Sequence, residues 1–281
     1  MFNKIKGAIF RTLDKFFPRP VTDWYVMHVM NMPLQLGGGA KALFTDYHEL
    51  KKQCTDFDDQ KGIERYLKSR RDAAEAHLSA VGPRDQIFLS ALAIPLGQME
   101  ALNIVDFGGS SGEKYYLLKK TAGLNKIGSY YIVEQQKIVD AFKNEALVEP
   151  KLKYISAVTQ VPGHEKIHYL YISGALQYME NPVEFLKNMV RSLKPVYVLI
   201  NRTPFWNKPD RLIKQLDYKI PGSNYRSSYT AWIIDQGQTE KAMGDLGYDV
   251  IPFAFNMDAP YIMGHGLLPY KSLFFKLRAG L

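Results

Sequence analysis

The pattern of apolar and polar positions changes near residue 100 of the 281-residue chain. Before that point, apolar side chains recur at helical spacing among charged ones; after it, short apolar runs of strand length alternate with helical segments. The first part predicts helices over 46–54, 61–81 and 84–100, and Pro95 favours a kink in the last of them. The second part predicts strands over 103–107, 130–133, 152–157, 168–173 and 196–201, and helices from 113 onward, over 136–147 and over 181–193.

Strands that alternate with helices imply a parallel sheet flanked by helices. The end of the chain departs from this pattern, because a helix at 238–246 is followed by two apolar strands, 248–255 and 271–277, with no helical segment between them. These two strands are therefore expected to pair antiparallel. The polar, proline-bearing segment 202–230 indicates an insertion after the fifth strand. The sequence thus predicts an α/β fold with a Rossmann-like sheet that is parallel apart from a terminal antiparallel hairpin.

The chain is predicted to have three parts: an arm over 1–20, a helical cap over 21–100 and a Rossmann-like domain over 101–281. In the arm, apolar residues fall near helical spacing, and five basic side chains against one acid give +4 of the formal net charge of +8. A basic amphipathic helix of this kind can lie in the interface of an anionic membrane. The alternative is a helix whose apolar side packs on its own domain.

The composition is ordinary for a globular protein, with 46% hydrophobic and 23% charged residues. The single cysteine, Cys54, excludes an internal disulfide and a cysteine-built metal cluster, and it suits a reducing compartment. No spacing of His, Asp and Glu predicts a zinc site or any other metal site. Because neither a membrane-spanning run nor a secretory signal is recognised, we expect a cytoplasmic protein, with the arm as its contact to the inner face of the membrane.

The positive net charge favours anionic partners. Nucleic acid is not favoured among them, because no dense stripe of Lys and Arg is interleaved with aromatic residues. A small molecule or a glycan precursor that carries phosphate, free or linked to a lipid, agrees with the charge as well. The oligomeric state stays open.

The segment 103–112, N-I-V-D-F-G-G-S-S-G, joins the first predicted strand to a helix that opens with Glu113. Gly108, Gly109 and Gly112 allow a sharp turn and a close backbone approach to a ligand. A strand, a glycine turn and a helix N-terminus together hold adenosine-containing cofactors at the carboxyl edge of a parallel sheet. A glycine turn that merely connects the two elements has the same pattern, and the segment by itself does not separate the two interpretations.

Glu134 lies 22 residues beyond Gly112, at the end of the second strand, where it can accept hydrogen bonds from both ribose hydroxyls of an adenosine. Nicotinamide and methyl-donor enzymes share this feature. The glycines run G-G-x-x-G rather than the G-x-G-x-x-G that accommodates a pyrophosphate, and the chain has no second nucleotide-binding half. S-adenosylmethionine has no phosphate, and Asp106 suits its positively charged end. The residues therefore favour S-adenosylmethionine over a nicotinamide.

Three ordered blocks of sequence resemble a group of class I S-adenosylmethionine-dependent methyltransferases marked by D-F-G-G, V-E-Q and L-Q-Y. The blocks are V-D-F-G-G-S-S-G at 105–112, Y-I-V-E-Q at 131–135 and Y-I-S-G-A-L-Q-Y at 171–178, with further likeness in N-R-T-P-F at 201–205, Y-T-A-W-I at 229–233 and G-H-G-L-L-P-Y-K-S at 264–272. The resemblance extends roughly from residue 47 to the carboxyl end and implies the class I methyltransferase sheet. In its biological context, the group is similar to the enzymes of bacterial surface-polysaccharide biosynthesis.

The resemblance implies roles for individual residues. The methionine end of the cofactor would be held by Asp106, Gly108, Gly109, Ser110 and Gly112, the ribose by Glu134 and the adenine by Gln135, while Ser173, Gly174 and Leu176 would line the methyl-transfer face. Two positions depart from the family pattern. Ser156 and Ala157 stand where many methyltransferases carry an acid after the third strand, so adenine recognition there lacks its usual carboxylate. His168 replaces an aspartate at the start of the fourth strand, a position that is often structural.

A sugar hydroxyl as methyl acceptor requires a base with a pKa near neutrality. His265 is the first candidate, because a loop at the terminal hairpin can fold over the site, and Tyr178 is the second. The alternative for His265 is an exposed loop histidine. The alternative for Tyr178 is packing against the cofactor or a helix.

Arg202, Tyr229 and Trp232 are the candidate substrate-binding residues. Arginine can bind a phosphate or carboxylate with two hydrogen bonds, and aromatic rings stack on sugars. The alternatives are an arginine paired with Asp210 and aromatic residues that belong to the core of the inserted segment.

The sequence therefore predicts a methyltransferase that uses S-adenosylmethionine to O-methylate a sugar or glycan precursor. One alternative is a protein that binds the cofactor without catalysis. The other is an NAD(P)-dependent oxidoreductase or epimerase. Binding of S-adenosylhomocysteine would distinguish a methyltransferase or a cofactor-binding protein from an NAD(P)-dependent enzyme. Turnover would then distinguish the methyltransferase from the cofactor-binding protein.

Overall fold

A computed structural model gives the architecture of the chain. It describes residues 34–35, 45–54, 64, 67–68, 71–72, 74–75, 81, 83–121, 124–143, 149–216, 228–252, 261–263, 266–268 and 270–279. The arm predicted over 1–20 lies outside these residues. Of the helices within them, none has both the length and the hydrophobicity that a membrane crossing requires.

Between residues 102 and 203, strands alternate with helices and 3₁₀ turns, in the order that the sequence predicts. The strands are β1 (Leu34–Gln35), β2 (Leu102–Phe107), β3 (Ile127–Val133), β4 (Leu152–Ile155), β5 (Tyr169–Ser173), β6 (Tyr197–Thr203), β7 (Phe205–Trp206), β8 (Arg211–Leu216), β9 (Ser228–Asp235), β10 (Tyr248–Ile251), β11 (Tyr261–Met263), β12 (Gly266–Leu268) and β13 (Lys271–Leu277). The helices are α1 (Tyr47–Lys52), α2 (Pro83–Gln98), α3 (Glu113–Thr121), α4 (Gln136–Lys143), α5 (Pro182–Leu193) and α6 (Gln236–Asp245), with 3₁₀ turns at Val158–Gln160 and Leu176–Tyr178.

Seven strands form the main sheet, in the order β10-β13-β6-β5-β2-β3-β4. β2 pairs in parallel with β3 and β5, and the parallel pairing continues to β4 on one side and β6 on the other. β13 pairs antiparallel with both β6 and β10, which confirms the antiparallel terminal pair. The α/β fold is thus a Rossmann-like sheet that is parallel apart from the antiparallel pairings of β13, as the sequence predicts.

The core lies on both faces of this sheet, because successive residues of a strand point to opposite sides. Ile104 of β2 packs in one cluster with Phe88 and Leu92 of α2, whereas the next residue, Val105, packs in the opposite cluster with Leu186 of α5. All five side chains are 0% exposed. Burial of each such side chain contributes about 1.5–3 kcal/mol. Helices on both faces therefore fix the positions of the strand ends.

The segment predicted as an insertion, 202–230, contains strands that the sequence analysis missed. β9 is the central strand of a second sheet, parallel to β7 and antiparallel to β8. Ile213, Ala231 and Ile233 form a small buried cluster there, against which Tyr178 packs. Prolines and polar residues dominate the composition of this segment. The alternation of apolar and polar residues within it is short, and the sequence pattern therefore did not predict strands there.

Helix α1 begins after Asp46, whose carboxylate accepts the backbone N–H of Glu49 at 3.0 Å. This contact confirms the short capped helix predicted over 46–54. α1 packs on β9, where the rings of Tyr47 and Trp232 stack with centroids 6.5 Å apart and 4° between their planes. The helix therefore lies against the second sheet.

The loop predicted between the last two strands of the main sheet contains two further strands. β11 pairs antiparallel with β12 and parallel with β1. Strand bounds elsewhere differ by a few residues from the prediction. β3 begins at Ile127 rather than at 130. Gly128 is a weak strand former, so the strand pattern is weak over these first residues.

Candidate functional site

The strand order reverses between β2 and β5, since the chain leaves β2 toward β3 and β4 and then returns to the other side. Ligands of open α/β sheets bind at such a point, beyond the carboxyl ends of the strands. Gly108 follows β2 and Gly174 follows β5, with φ of 69° and 63°. A side chain at Gly108 would place its Cβ 2.6 Å from the Cβ of Ala175. Glycine therefore allows the two loops to lie this close.

Asp106 lies beneath the glycine loop rather than in the wall of a cavity. It is 1% exposed, and its carboxylate accepts the Tyr130 hydroxyl at 2.8 Å. A Cβ at Gly109 would lie 2.7 Å from the Asp106 Cγ, so the loop backbone covers the carboxyl group directly. Burial raises the pKa of Asp106 to about 7, and the hydrogen bond from Tyr130 opposes this rise. The cofactor contact assigned to Asp106 stays a prediction, and the observed position is a support for the loop.

Glu134 connects the glycine loop with the end of β3. Its Oε1 accepts the backbone N–H of Ser110 at 2.9 Å, and its Oε2 accepts that of Gln135 at 3.1 Å. Burial raises the pKa of Glu134, while the two N–H donors lower it. Ser110 has a φ of 52°, a left-handed conformation that costs a non-glycine residue about 1–2 kcal/mol. The hydrogen bond to Glu134 holds Ser110 in this conformation, and each carboxylate oxygen has capacity for a second donor.

A cavity of about 470 Å³ opens beside this loop, a volume within the range of small-molecule sites. Eight of the residues predicted for the site line it: Gly108, Ser110, Glu134, Gln135, Ser156, Ala157, Gly174 and Tyr178. Five of the predicted cofactor-binding residues lie outside its lining: Asp106, Gly109, Gly112, Ser173 and Leu176. We call this space the large cavity.

Apolar side chains complete the large cavity, and the sequence analysis missed them. They are Phe107, Val133, Ile138, Val158, Ala175, Met179 and Phe185. The rings of Phe107 and Phe185 contact each other with centroids 5.0 Å apart. These residues sit at strand ends and helix starts, where the sequence pattern does not distinguish a cavity wall from ordinary core.

Ser156 and Ala157 line the large cavity at the turn after β4. The backbone N–H groups of both residues donate to Oε1 of Gln160, at 2.7 and 3.3 Å. The turn is therefore held by one of its own side chains. At these two positions the wall offers backbone and small side chains without a carboxylate.

Tyr178 lies where the large cavity meets a second one. Its hydroxyl donates to Oε1 of Gln215 at 3.0 Å, and its carbonyl oxygen accepts the Tyr47 hydroxyl at 2.6 Å. Its ring meets that of Tyr229 edge-on, with centroids 5.9 Å apart. The phenol is therefore in contact with β8 and β9, and the backbone of Tyr178 is in contact with α1.

The second cavity, which we call the small cavity, measures about 320 Å³ and shares Gln135, Tyr178 and Met179 with the large one. Its other lining residues are Tyr47, Lys51, Cys54, Tyr229 and Thr230. Tyr229, a predicted substrate residue, thus lies in a cavity wall. The residues of α1 were not predicted, because this helix is far in sequence from every motif and its pattern is that of a surface helix.

Arg202 and Trp232, the other predicted substrate residues, line neither of these two cavities. Arg202 has a φ of 51°, and its Nη1 lies 3.6 Å from the place of a Cβ on Gly174. Asp210, the alternative partner of Arg202, accepts the backbone N–H of Asp235 at 2.6 Å. Trp232 packs against the sheet core, as in the alternative interpretation of this residue.

His265, the first candidate base, lies outside the described residues. His168 accepts the backbone N–H of Asn103 on its Nδ1 at 3.0 Å, and burial lowers its pKa. This contact gives His168 a structural role at the start of β5. His48 Nε2 lies 3.0 Å from Oε1 of Glu180 on the surface. In the part of the chain that the structure describes, no group of three or more His, Cys, Asp or Glu residues is arranged to hold a metal ion.

No protein-family model and no curated protein matches the chain. Solved structures do match. A S-adenosylmethionine-dependent methyltransferase from Clostridium acetobutylicum has a TM-score of 0.48 and 7% identity, with 78% of this chain and 99% of that chain covered. Magnesium protoporphyrin IX methyltransferase from Synechocystis with bound S-adenosylmethionine has a TM-score of 0.46 and 14% identity, with 85% of this chain and 100% of that chain covered. The CcbJ methyltransferase from Streptomyces caelestis has a TM-score of 0.47 and 10% identity, with 75% of this chain and 96% of that chain covered. Similarities at such low identity describe chain architecture and assign no activity to this protein.

Proposed function

We propose that the protein is a methyltransferase that binds S-adenosylmethionine in the large cavity. The observation that carries this proposal is the position of Glu134, whose carboxylate is fixed by the N–H groups of Ser110 and Gln135 in the wall of that cavity. Two carboxylate oxygens at the end of the second parallel strand suit the two hydroxyls of a ribose. The glycine loop beside it has no pyrophosphate-binding G-x-G-x-x-G pattern, which favours a cofactor without phosphate.

The remaining residues of the large cavity fit the other parts of the cofactor. Gly108, Ser110 and Gly174 lie at the switch point and would hold its methionine end, with Asp106, Gly109 and Gly112 shaping the loop from behind. Ser173 and Leu176, in and after β5, would support the methyl-transfer face. Gln135, Ser156 and Ala157 would lie beside the adenine, whose flat ring suits the apolar contact with Val133 and Ile138. When bound, the cofactor supplies a methyl group activated by the sulfonium.

The acceptor is a sugar hydroxyl in a glycan precursor, as in enzymes of bacterial surface-polysaccharide biosynthesis. In the transfer, a bond forms between the acceptor oxygen and the methyl carbon, and the bond from that carbon to sulfur breaks. The hydroxyl proton passes to a base, for which Tyr178 and His265 are the candidates. Tyr178 supports this role by its position where the two cavities meet. Alignment of acceptor, carbon and sulfur alone removes several kcal/mol of the barrier.

Substrate contact is proposed for Tyr229 in the small cavity, for Trp232, whose ring stacks on Tyr47 of that cavity, and for Arg202, which lies beside Gly174 of the large cavity. The acceptor carries phosphate or another anionic group, free or lipid-linked, in agreement with the net charge of +8. The reaction takes place in the cytoplasm, with the arm over 1–20 as a contact to the inner face of the membrane.

Calorimetric titration with S-adenosylhomocysteine tests the cofactor. Wild type is expected to bind with micromolar affinity. Glu134→Ala is expected to weaken binding at least about tenfold, because a hydrogen-bonded charge contributes about 1.5–3 kcal/mol. Glu134→Gln keeps the shape of the side chain, and its affinity for S-adenosylhomocysteine is expected to lie between those of wild type and Glu134→Ala.

Glu184→Ala is the matched control, since this exposed glutamate of α5 pairs with Lys187 outside the cavity lining. Binding of S-adenosylhomocysteine by wild type and by Glu184→Ala, but not by Glu134→Ala, supports the proposal. A thermal shift with NAD(P) and none with S-adenosylhomocysteine would overturn it in favour of an oxidoreductase or epimerase. Binding without methylation of any glycan extract would leave a cofactor-binding protein.

A further inference from the structure

Asp106 lies one layer of backbone behind the wall of the large cavity. Gly108 and Ser110 of the glycine loop line this cavity, and Gly109 between them covers the Asp106 carboxyl group. A Cβ on Gly109 would lie 2.7, 2.8 and 3.0 Å from its Cγ, Oδ2 and Oδ1. A charge bound against the loop is therefore separated from the carboxyl group by the backbone of one residue and not by bulk water.

The surroundings of Asp106 do not balance a negative charge. Its side chain is 1% exposed, and the hydroxyl of Tyr130 donates a hydrogen bond to its Oδ2. The cation whose charge acts on it is Lys114 of α3, but the Nζ of Lys114 donates to Asp85 of α2. Among the residues that the structure describes, no Lys, Arg or His forms an ion pair with Asp106. A buried carboxyl group in this position takes up a proton rather than remain charged.

The other titratable groups around Asp106 also favour its protonated form. Glu113 at the start of α3 and Glu134 after β3 are acids, and their negative charge raises the pKa of Asp106. Tyr171 pairs with Asp106 across β2 and β5, and burial raises the pKa of the phenols of Tyr171 and Tyr169, so both are neutral. Burial is the largest cause of the rise at Asp106, whose pKa is about 7.

We propose that Asp106 is the charge sensor of the large cavity: its carboxyl group is protonated while the cavity is empty and loses the proton when a cation binds against the glycine loop. This inference rests on the proposed function and adds to it how the site distinguishes methyl donor from product. S-adenosylmethionine has a permanently charged sulfonium, whereas S-adenosylhomocysteine has a neutral thioether in its place. The Asp106 carboxylate therefore stabilises the bound donor more than the bound product.

The same difference in charge favours release of the product. Methyl transfer removes the positive charge of the sulfonium, so the buried carboxylate loses the cation that stabilised it. Asp106 then takes up a proton again. The attraction that held the donor is therefore absent when the product leaves.

Calorimetric titration in two buffers of different ionisation enthalpy tests the proposal, because the difference in heat counts the protons released to the buffer. S-adenosylmethionine and S-adenosylhomocysteine are titrated without an acceptor, so no transfer takes place. At pH 6.5, where Asp106 is mostly protonated in the empty cavity, the donor is expected to release about half a proton more than the product. The ratio of donor affinity to product affinity is expected to rise about tenfold between pH 5.5 and 7.5.

Asp106→Asn is expected to remove both the additional proton release and the pH dependence of the affinity ratio, because the amide does not titrate. Asp210→Asn is the matched control. Burial also raises the pKa of Asp210, but this residue lies outside the lining of both cavities. The control variant is therefore expected to behave like wild type.

Tyr130→Phe provides a second variant that keeps the carboxyl group and serves if Asp106→Asn does not fold. The hydrogen bond from Tyr130 lowers the pKa of Asp106. Its loss is expected to shift the additional proton release to higher pH, whereas a tyrosine with a merely structural role would leave the pH of release unchanged.

Equal proton release by donor and product in wild type would overturn the inference alone, provided that both ligands bind. A difference that persists in Asp106→Asn, or that does not shift in Tyr130→Phe, would also overturn it, because another group would then release the proton. Absence of binding by both ligands would overturn the proposed function together with this inference. The two failures are therefore distinguishable in one set of titrations.

Discussion

The hydroxyl of Tyr130 donates a hydrogen bond of 2.8 Å to the carboxylate of Asp106, across two neighbouring parallel strands and below the glycine loop. Both groups are buried, and their pKa values rise together: that of Asp106 to about 7, and that of Tyr130 well above its usual value. Desolvation is the main cause for both. A carboxyl group that titrates near neutrality thus lies directly under the proposed cofactor loop.

Stability is expected to fall as the pH rises from about 4 to 7. In the unfolded chain the Asp106 carboxyl ionises near pH 4, whereas the folded protein keeps its proton to about pH 7. The folded state therefore binds more protons in this window, and the free energy of unfolding decreases by up to about 1.4 kcal/mol per pH unit from this group. Above pH 7 the Asp106 carboxyl is ionised in both the folded and the unfolded state, so its contribution no longer changes with pH. Urea unfolding at several pH values measures the free energy of unfolding and hence this slope.

Asp106→Asn provides the control for this pH dependence. The amide oxygen can still accept the Tyr130 hydroxyl but does not titrate, so the slope should become flatter. Glu134, whose pKa is also raised, keeps its share of the slope in this variant. If wild type and Asp106→Asn have the same slope, the carboxyl group is already ionised in the folded protein at low pH.

Gly108→Ala is expected to reduce stability by about 1–3 kcal/mol through overpacking and to abolish cofactor binding. Its Cβ would lie 2.6 Å from the Cβ of Ala175, and its φ of 69° is unfavourable for alanine.

Gly163→Ala is the control, since no atom lies within 4 Å of the new Cβ. The double variant Gly108→Ala/Ala175→Gly removes the clash but not the φ strain, so it should recover part of the stability. Chemical denaturation and titration with S-adenosylhomocysteine measure both effects, and full binding by Gly108→Ala would contradict the close approach of the two loops.

Tyr178→Phe separates catalysis from packing at the junction of the cavities. If the phenol acts as the base, kcat is expected to fall about 100-fold or more, with little change in the affinity for S-adenosylhomocysteine. Loss of the hydrogen bond to Gln215 alone should cost about 1 kcal/mol of stability. Gln215→Met removes the same hydrogen bond but keeps the phenol, so it should retain most of kcat. Equal kcat values in the two variants would show that Tyr178 only packs, and His265→Ala would then be the next variant to measure.

Tyr47→Phe is expected to loosen α1. The variant loses the hydrogen bond of 2.6 Å from its hydroxyl to the carbonyl oxygen of Tyr178 but keeps the ring that stacks on Trp232. A net loss of about 0.5–1.5 kcal/mol is expected for one such bond. Amide hydrogen exchange of α1 should accelerate, whereas that of β2 should not change. Unchanged exchange in α1 would mean that the contacts of His48 with Glu180 and of Lys214 with the carbonyl oxygen of Gln53 are sufficient to hold this helix.

The sequence pattern was a reliable guide to the main sheet and to the edge of the sheet at which the large cavity opens. Apolar runs at strand spacing located β2, β5 and β13 within a few residues, because strands buried on both faces leave a continuous apolar signal. The glycine loop and Glu134 were visible for a similar reason, since their residue types are dictated by local backbone geometry and by position at a strand end. Eight predicted residues indeed lie together in the large cavity.

The small cavity was not visible in the pattern. Lys51 lies in α1 and Cys54 shortly after it, and the spacing of this short helix resembles that of any surface helix. Only the packing of α1 on β9 brings the two residues beside Tyr229 and Thr230. The strands β8 and β9 were missed as well, because short strands in a polar segment have a weak periodicity.

The sequence by itself determined the alternation of strands and helices, the glycine turn after β2 and the acid at the end of β3, since each depends on residues that are neighbours in the chain. Only the tertiary structure decided that Asp106 supports the loop from below, that Trp232 packs on Tyr47, and that Lys51 and Tyr229 line the same cavity. These relationships join residues far apart in sequence. Their geometry follows from how separate elements pack, which no local spacing of residue types specifies.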